Sequence, residues 1–370
     1  MTSARPLRVL IAGGGTGGHL YPGIAIAEQV TADGGEVLFA GTRRGLEAKL
    51  IPQAGFRLEL IDVSGLKRAG LRGLVLGLAR LPRAFAQARR ILRAFRPDLV
   101  VGVGGYASGP VALMAALTRI PTVIQEQNSI PGFTNRVLGR FARRVFVAFE
   151  ETRAYFPARK VRLTGNPVRR KLLDRAVAAA GAGGPPAGET VLVVGGSQGS
   201  RAVNDLVSAA VRVLALRGRA LRLVHQTGPA DEARLRLAYE GLPPATTVDV
   251  RAYIDDMPAA LAAAALVIGR AGALTLAELA IMARPAILIP LPTAADDHQT
   301  ANARELEQAG AAVLLPQADA TPTRLADLVD ELLGDPARRA AMSTAMQKLA
   351  RPEATREIVR ELGELGALAK

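Results

Sequence analysis

The chain has 370 residues, which favours two domains because one hydrophobic core seldom serves so long a chain. Hydrophobic residues make up 49% of it, which excludes a disordered protein, and the absence of cysteine excludes disulfides, thiolate metal sites and cysteine nucleophiles. The 47 Lys and Arg residues outnumber the 33 Asp and Glu residues, and the net charge of +14 favours nucleic acid, an anionic membrane surface or anionic small molecules as partners.

The amino terminus leads directly into an apolar run. Residues 1–6 carry no pattern of a secretory signal, and no stretch of the chain approaches the roughly 20 apolar residues that span a bilayer. We therefore expect a soluble or peripheral protein in the cytoplasm.

Short runs rich in Val, Ile and Leu alternate with longer helical patterns. Continuous apolar strands separated by helices predict parallel sheets that are covered on both faces. The runs are Leu7–Ala12, Val37–Ala40, Leu99–Val103, Thr122–Gln125, Val145–Ala148, Thr190–Val194, Leu221–His225, Leu266–Ile268 and Ala286–Ile289.

Both halves of the chain begin with a strand, a glycine loop and a helix. Leu7–Ala12 leads into Gly13–Gly18, and Val191–Val194 leads into Gly195–Arg201. The repeated pattern predicts an α/β protein with two Rossmann-like domains that face a cleft. We expect the first domain to span 1–164 and the second 165–349, with a helix in 350–370 packed back on the first.

The glycine loops are candidate phosphate sites. Such loops expose backbone N–H groups at the positive end of a helix dipole, although glycines there can also serve close packing alone. A dinucleotide site would need an acidic residue after the second strand, and Val37–Ala40 is followed by Gly41-Thr42-Arg43, with Glu36 at the wrong end. The pattern therefore disfavours an oxidoreductase.

His19 follows the first glycine loop and is one of only three histidines, with His225 and His298. At the first turn of a helix beside a phosphate loop, it could take a proton from an attacking hydroxyl. The alternative is that it caps the helix.

A second candidate site runs from Ile268 to Glu278, with a strand, a glycine turn and a helix. The first N–H groups of this helix suit a diphosphate, and a carboxylate one turn further on suits the hydroxyls of a ribose. Alternatively, Glu278 is a solvated helix residue. The chain has no Asp-x-Asp triplet, so we predict no metal and no other cofactor, and we expect helix dipoles and Arg169 to stabilise the leaving group.

These residues resemble the MurG family of glycosyltransferases (glycosyltransferase family 28). The resemblance runs almost from end to end, in eight segments that follow the family order. The segments are Gly13–Gly23, Gly102–Pro110, Gln125–Asn128, Gly165–Arg169, Gly195–Arg201, Tyr253–Met257, Arg270–Thr275 and Asp297–Asn302.

The resemblance implies a GT-B fold and an inverting transfer in peptidoglycan synthesis. N-acetylglucosamine would pass from UDP-N-acetylglucosamine to the C4 hydroxyl of the muramyl sugar in undecaprenyl-pyrophosphoryl-MurNAc-pentapeptide. The candidate catalytic residues are His19, as the base, with Glu126 and Asn128. The implied acceptor-side supports are Tyr106 and Asn135.

The resemblance also implies a donor site, with Ile254 at the uracil and Glu278 at the ribose. The implied diphosphate and sugar contacts are Thr16, Gly17, Gly18, Asn128, Arg169, Ser197, Ala273, Leu274, Thr275, Leu276 and Ala277. His298 and Gln299 complete the substrate site, and some family members carry two glutamines where this chain has His298-Gln299.

Between Asp62 and Asp98 the chain has nine basic residues, no acidic residue and leucines at helical spacing. Such a segment suits an anionic membrane surface, although the apolar stripe could instead pack into the core. We therefore expect a peripheral protein on the cytoplasmic face of the cell membrane.

Three other functions are alternatives to the N-acetylglucosamine transfer that the resemblance implies. A transferase of the same fold with another lipid acceptor would differ in Gly102–Pro110 and Gln125–Asn128, and a UDP-sugar epimerase would need more carboxylates around the substrate. Nucleic acid is not expected as a partner, because aromatic residues make up only 4% of the chain and no recognition motif is present.

Overall fold

The structure is a computed structural model that describes residues 5–43, 45–63, 70–181, 189–196 and 198–368. It divides into two compact units, residues 1–169 with 352–370, and residues 170–351. The division falls after Arg169, a few residues beyond the predicted 164, so Gly165–Arg169 belongs to the first unit.

The first unit contains a parallel seven-stranded sheet in the order β3-β2-β1-β4-β5-β6-β7. Its strands are β1 (Arg8–Gly13), β2 (Glu36–Gly41), β3 (Arg57–Leu60), β4 (Leu99–Gly104), β5 (Thr122–Glu126), β6 (Arg144–Val147) and β7 (Val161–Leu163). Its α-helices are α1 (Gly17–Ala32), α2 (Glu47–Gln53), α3 (Gly70–Phe95), α4 (Ser108–Leu117), α5 (Phe133–Leu138) and, near the C-terminus, α14 (Ala354–Ala367). Short 3-10 helices span Glu151–Tyr155 and Ala158–Lys160.

Two apolar layers cover this sheet. Residues of α3 and α4 pack on one face, and residues of α1 and α14 pack on the other. Each fully buried aliphatic side chain contributes about 1.5–3 kcal/mol. Ile358 and Leu362 of α14 are buried in this core, and Glu361 accepts from Arg144 and Arg162 at 3.2 and 3.1 Å. The C-terminal helix is thus part of the first unit.

The second unit contains a parallel six-stranded sheet in the order β10-β9-β8-β11-β12-β13. Its strands are β8 (Thr190–Val194), β9 (Leu221–Gln226), β10 (Thr246–Arg251), β11 (Leu266–Gly269), β12 (Ala286–Leu288) and β13 (Ala312–Leu314). Its helices are α6 (Arg170–Gly181), α7 (Arg201–Leu216), α8 (Glu232–Ala238), α9 (Met257–Ala263), α10 (Ala273–Ile281), α11 (His298–Gln308), α12 (Pro322–Gly334) and α13 (Pro336–Lys348), with a 3-10 turn at Ala295–Asp297.

All nine predicted apolar runs form strands, and the described residues contain four further strands. These four, β3, β7, β10 and β13, lie at the edges of the two sheets. None of the helices in the described parts of the chain is long and apolar enough to cross a membrane.

Candidate functional site

Each sheet has one point where the strand order reverses. In the first unit this point lies between β1 and β4, and in the second it lies between β8 and β11. Ligands of open parallel sheets bind at the carboxyl ends of the strands at such points. The loops there carry the first glycine loop, Gly104–Ala107, the second glycine loop and Arg270–Gly272.

The first glycine loop is held by a buried carboxylate. Glu47, fully buried at the start of α2, accepts from the N–H groups of Gly15 and Thr42, both at 2.9 Å, and from the Thr42 hydroxyl at 2.6 Å. A Cβ at Gly14 or Gly45 would overlap this carboxylate, so both glycines make room for it. Gly14 therefore leaves space for the Glu47 carboxylate, and the loop also leads into the open N-terminus of α1.

Tyr106 lies beside this loop because two glycines allow a close approach. Gly104 and Gly105 have φ values of +95° and +80°, and a Cβ at Gly105 would overlap the Gly14 carbonyl. The loop after β4 therefore packs directly on the loop after β1. The Tyr106 side chain is 48% exposed, which suits contact with a substrate.

The predicted base, His19, lies in the first turn of α1 and is partly exposed. Thr16, the residue before the helix, accepts from the backbone N–H groups of His19 and Leu20 through its carbonyl. The imidazole Nδ1 lies 2.9 Å from Oε1 of Gln127, which follows β5. Gly17 and Gly18 provide the first helical N–H groups, which have no acceptor within the helix.

Glu126, a predicted catalytic residue, is buried at the end of β5. Its carboxylate accepts from the Asn128 N–H at 3.0 Å, the Gly132 N–H at 3.2 Å and Asn135 Nδ2 at 2.9 Å. Asn128 is partly exposed, and Asn135 is buried in α5. This arrangement favours a positioning role for Glu126 and Asn135, which hold the loop that carries Asn128.

Arg169 is the last residue of the first unit, although the predicted boundary assigned it to the second. Its guanidinium lies 5.2 Å from the centre of the Tyr21 ring on α1. A cation over an aromatic face is held there by the electrostatic attraction of the ring. Its expected position beside the diphosphate stays a prediction.

In the second unit, Gln226 connects the glycine loop to the predicted uracil contact. This buried side chain donates to the Gly196 carbonyl at 3.0 Å and accepts from the Ile254 N–H at 3.2 Å. A uracil placed at Ile254 would therefore compete with Gln226 for that N–H. Ser197, the predicted diphosphate contact in this loop, lies outside the described residues.

The predicted diphosphate helix is α10. Gly272 precedes it in an extended conformation, so the helix starts with the N–H groups of Ala273, Leu274 and Thr275 at the end of β11. Ala273 and Leu276 are buried, whereas Leu274, Thr275, Ala277 and Glu278 are partly exposed. The part of α10 that is open to a ligand therefore includes the predicted ribose carboxylate.

Arg270 holds the loops around α10 together, a role that the sequence analysis missed. Its buried guanidinium donates to Ser200 Oγ at 2.8 Å, to the Pro290 carbonyl at 2.8 Å and to Gln317 Oε1 at 2.8 Å. Burial lowers the pKa of Arg270 below its usual range. The sequence did contain a signal for this role, because Arg270 is a single charged residue within the glycine turn that follows an apolar strand.

The loop before α11 is strained. Asp296 and Asp297 both have φ of +53°, a conformation that costs non-glycine residues on the order of 1 kcal/mol or more each. Gln299 accepts from the Leu291 N–H at 3.0 Å, and His298 Nδ1 lies 2.7 Å from the Ala295 carbonyl. His298 and Gln299 are both partly exposed, and their hydrogen bonds link them to the loop that precedes α11.

A buried histidine lies outside the predicted site. His225 on β9 contacts Asn204 Oδ1 at 3.1 Å and the Tyr239 hydroxyl at 2.8 Å. Burial lowers the pKa of His225 from 6.5 to about 4, against the smaller opposite effect of Asp231. The folded protein therefore keeps this ring neutral where an unfolded chain would protonate it.

This histidine should make the second unit sensitive to acid. Because the folded-state pKa is lowered, its contribution is complete above pH 6.5 and is lost as the pH falls towards 4, by about 3 kcal/mol in all. Urea unfolding between these pH values should show this slope, and the His225→Gln variant should show a flatter one. Equal slopes in the two proteins would contradict the role of His225.

Among the described residues, no group of three His, Asp or Glu side chains is placed to hold a metal ion. The polar groups at the two switch points include backbone N–H groups, amides, a histidine and an arginine. Hydrogen-bond donors of this kind stabilise developing negative charge on a leaving phosphate.

Two Rossmann-like units, each with a glycine loop at the switch point of a parallel sheet, define a protein of the GT-B fold class. The chain belongs to glycosyltransferase family 28. The model of the family's N-terminal domain matches residues 9–147, and the model of its C-terminal domain matches residues 190–358.

Individual relatives agree with this assignment. The chain is 51% identical over 363 residues (97% of this chain and 93% of the other) to a protein of Anaeromyxobacter sp. (strain Fw109-5) named UDP-N-acetylglucosamine--N-acetylmuramyl-(pentapeptide) pyrophosphoryl-undecaprenol N-acetylglucosamine transferase. It is 44% identical to a protein of the same name from Geobacter sulfurreducens, over 96% of this chain and 98% of the other. The crystal structure of Acinetobacter baumannii MurG superposes with a TM-score of 0.80 at 33% identity, over 97% of this chain and 100% of that one.

Proposed function

We propose that this glycosyltransferase transfers N-acetylglucosamine from UDP-N-acetylglucosamine to N-acetylmuramyl-(pentapeptide) pyrophosphoryl-undecaprenol, a step of peptidoglycan synthesis. The near full-length likeness to transferases named for this reaction carries the proposal. The alternatives, a different lipid acceptor or sugar epimerisation, have no comparable support. The first unit would bind the lipid acceptor, and the second would bind the UDP-sugar.

For the donor, we propose that the diphosphate meets the first N–H groups of α10 and that Glu278 binds the ribose. A helix N-terminus carries about half a positive charge, and the Arg169 guanidinium adds a full one. These groups would stabilise the UDP that leaves when the anomeric carbon is attacked. Arg270 supports this site by fixing the loops after β8, β12 and β13.

For the acceptor, we propose that the C4 hydroxyl of the muramyl sugar attacks the anomeric carbon from the side opposite to UDP. His19 would take the hydroxyl proton as the new bond forms, and one displacement inverts the α-linked donor to a β-linked product. Tyr106 and Asn128 would contact the substrates, whereas Glu126 and Asn135 would hold the loop of Asn128 in place.

The direct test combines the purified protein with UDP-N-acetylglucosamine and a short-chain lipid-linked muramyl pentapeptide. The expected products are UDP and a β-linked disaccharide on the lipid, detected by mass spectrometry. Incubation of the donor without the acceptor separates transfer from hydrolysis. UDP release with no disaccharide, or an epimerised UDP-sugar, would exclude the proposed reaction.

The role of Glu278 predicts a loss of UDP affinity. Replacing Glu278 by alanine should raise the Kd for UDP by roughly 10-fold, because a hydrogen bond to a charged group contributes about 1.5–3 kcal/mol. Calorimetric titration measures the change, and Glu240→Ala, an exposed glutamate elsewhere in the second unit, is the matched control. Equal affinities in the two variants would exclude Glu278 as a ribose ligand.

We further propose that the first unit binds the cytoplasmic face of the cell membrane as a peripheral protein. Residues 64–69 of the basic stretch lie outside the described residues, and its described basic side chains begin at Arg83. Further exposed residues of the same unit support the proposal, since Phe133 and Phe141 are 64% and 52% exposed and Arg140 and Arg143, close to Phe141 in the chain, are exposed as well. Exposed aromatic residues next to cations suit an anionic bilayer.

Binding to vesicles tests this proposal. The protein should co-sediment with phosphatidylglycerol vesicles at low salt and be released as the ionic strength rises, because each basic residue near the surface contributes about 1 kcal/mol. Arg140→Glu should weaken binding several-fold, and Arg222→Glu in the second unit should not. Binding that ignores both salt and lipid charge would argue against an electrostatic interaction.

A further inference from the structure

We propose that Gln127 is a positioning residue that holds the His19 ring in the tautomer with a proton on Nδ1, so that Nε2 is the atom that accepts a proton. The inference deepens the proposed function, because it names the atom of His19 that would act as the base. It follows from the hydrogen bonds of a buried chain of amides that ends on the His19 ring.

The orientation of the Gln127 amide follows from its surroundings. Its Nε2 lies 2.8 Å from the Val103 carbonyl and 3.3 Å from the Gln125 carbonyl, and both of these groups can only accept. The NH2 end of the amide must therefore face them. The opposite end, Oε1, can only accept, and it lies 2.9 Å from His19 Nδ1.

The tautomer of His19 follows from that contact. A neutral imidazole has one N–H and one bare nitrogen, and the hydrogen bond made by one nitrogen decides the state of the other. Since Gln127 Oε1 is an acceptor, His19 Nδ1 carries the hydrogen and Nε2 carries the lone pair. A general base needs that lone pair on the nitrogen that faces the substrate hydroxyl.

The amide chain continues beyond Gln127 in one direction. Gln127 Nε2 also donates to Gln125 Oε1, Gln125 Nε2 donates to Asn166 Oδ1 at 3.0 Å, and Asn166 Nδ2 donates back to the Gln127 carbonyl at 3.0 Å. The three amides are buried, with Gln127 only 1% exposed. Hydrogen bonds that run head to tail in a buried chain polarise one another, which strengthens the hold on each amide.

Gln127 therefore acts through His19 and has no surface to offer a substrate. Asn166 lies between β7 and the last residue of the first unit, Arg169, so the chain also joins the segment before the second unit to the ring of His19. Replacing Gln127 by methionine removes the acceptor at similar volume, whereas glutamate keeps an acceptor oxygen towards His19 and loses the N–H donor towards Val103.

Nuclear magnetic resonance of protein labelled with 15N-histidine tests the inference directly, because one-bond and two-bond couplings show which ring nitrogen carries the proton. At alkaline pH, the wild type and Gln127→Glu should show His19 with the proton on Nδ1, and Gln127→Met should show a shift towards Nε2–H. His19→Asn assigns the signal. Gln226→Met, which removes a buried glutamine of the second unit, should leave the His19 signal unchanged.

The kinetic result should follow the tautomer. Gln127→Met should lower kcat at least ~10-fold with little change in KM for UDP-N-acetylglucosamine, since a base held in the wrong tautomer loses up to about 10⁴ in rate. Gln127→Glu, which keeps the acceptor towards His19 but loses the donor towards Val103, should restore part of kcat. A wild-type His19 with its proton on Nε2 would overturn the inference, as would an unchanged tautomer in Gln127→Met. The spectrum needs no turnover, so a failure of the transfer assay would count against the proposed function and leave this test intact.

Discussion

Replacing His19 by alanine should lower kcat for sugar transfer by about 10²–10⁴-fold, the usual contribution of a general base. The affinity for UDP should change little, because the donor contacts proposed here lie mainly on the second unit. Steady-state kinetics with a lipid-linked muramyl pentapeptide and calorimetric titration of UDP measure the two quantities separately.

A matched change on the same helix controls for effects on α1. Gln29 lies on α1 outside the glycine loop, and its side chain pairs only with Asp33 among the hydrogen bonds described for it, at 2.8 Å, so Gln29→Ala should keep near wild-type turnover. If His19→Ala also keeps near wild-type turnover, another group takes the proton from the acceptor. A loss of UDP affinity equal to the loss of kcat would instead mean that the substitution distorts the loop.

The second large effect is expected at Glu47. Replacing this residue by alanine should lower the free energy of unfolding of the first unit by about 3 kcal/mol or more. The change leaves the N–H groups of Gly15 and Thr42 and the Thr42 hydroxyl without their acceptor, and each buried donor left unpaired costs about 1–3 kcal/mol. The substitution also leaves a cavity beside Gly14 and Gly45, which lie against the Glu47 carboxylate.

Hydrogen exchange measures this effect locally, so that a change in the first unit is separated from the second. The backbone amides of Gly14–Leu20 should exchange faster in the Glu47→Ala variant than in the wild type. The turnover of this variant should also be lower. Glu36→Ala is the control, because Glu36 forms a partly exposed ion pair with Arg8 at 2.9 Å and such pairs contribute at most about 1 kcal/mol. Equal exchange in the two variants would show that Glu47 does not hold the loop.

The two glycine loops look alike in the sequence, but the Glu47 carboxylate makes the first chemically different from the second. In the first loop a carboxylate takes the Gly15 N–H, so a phosphate placed there would meet a negative charge. In the second loop the neutral amide of Gln226 meets the Gly196 carbonyl. The difference supports the proposal that the donor diphosphate binds mainly in the second unit.

The class of fold, the positions of nine strands and the loops of the candidate site could all be predicted from the amino-acid sequence alone. Apolar runs of this kind form strands wherever both faces of the sheet are covered. The four strands beyond these runs, such as Arg57–Leu60 and Thr246–Arg251, lie at sheet edges, where one side faces solvent and polar residues interrupt the pattern.

The polar groups that meet at the carboxyl ends of the strands could be identified only from the three-dimensional structure. Gln127 is hydrogen-bonded to His19, which lies 108 positions away in the chain, and Glu47 is hydrogen-bonded to Gly15, which lies 32 positions away. Arg270 is hydrogen-bonded to Ser200, 70 positions before it, and to Gln317, 47 positions after it. Periodicity predicts which face of an element is buried, but it carries no information on which side chains from separate loops come within hydrogen-bond distance. That choice depends on strand order and on the packing of each loop on its neighbour, as Gly105 on Gly14 shows.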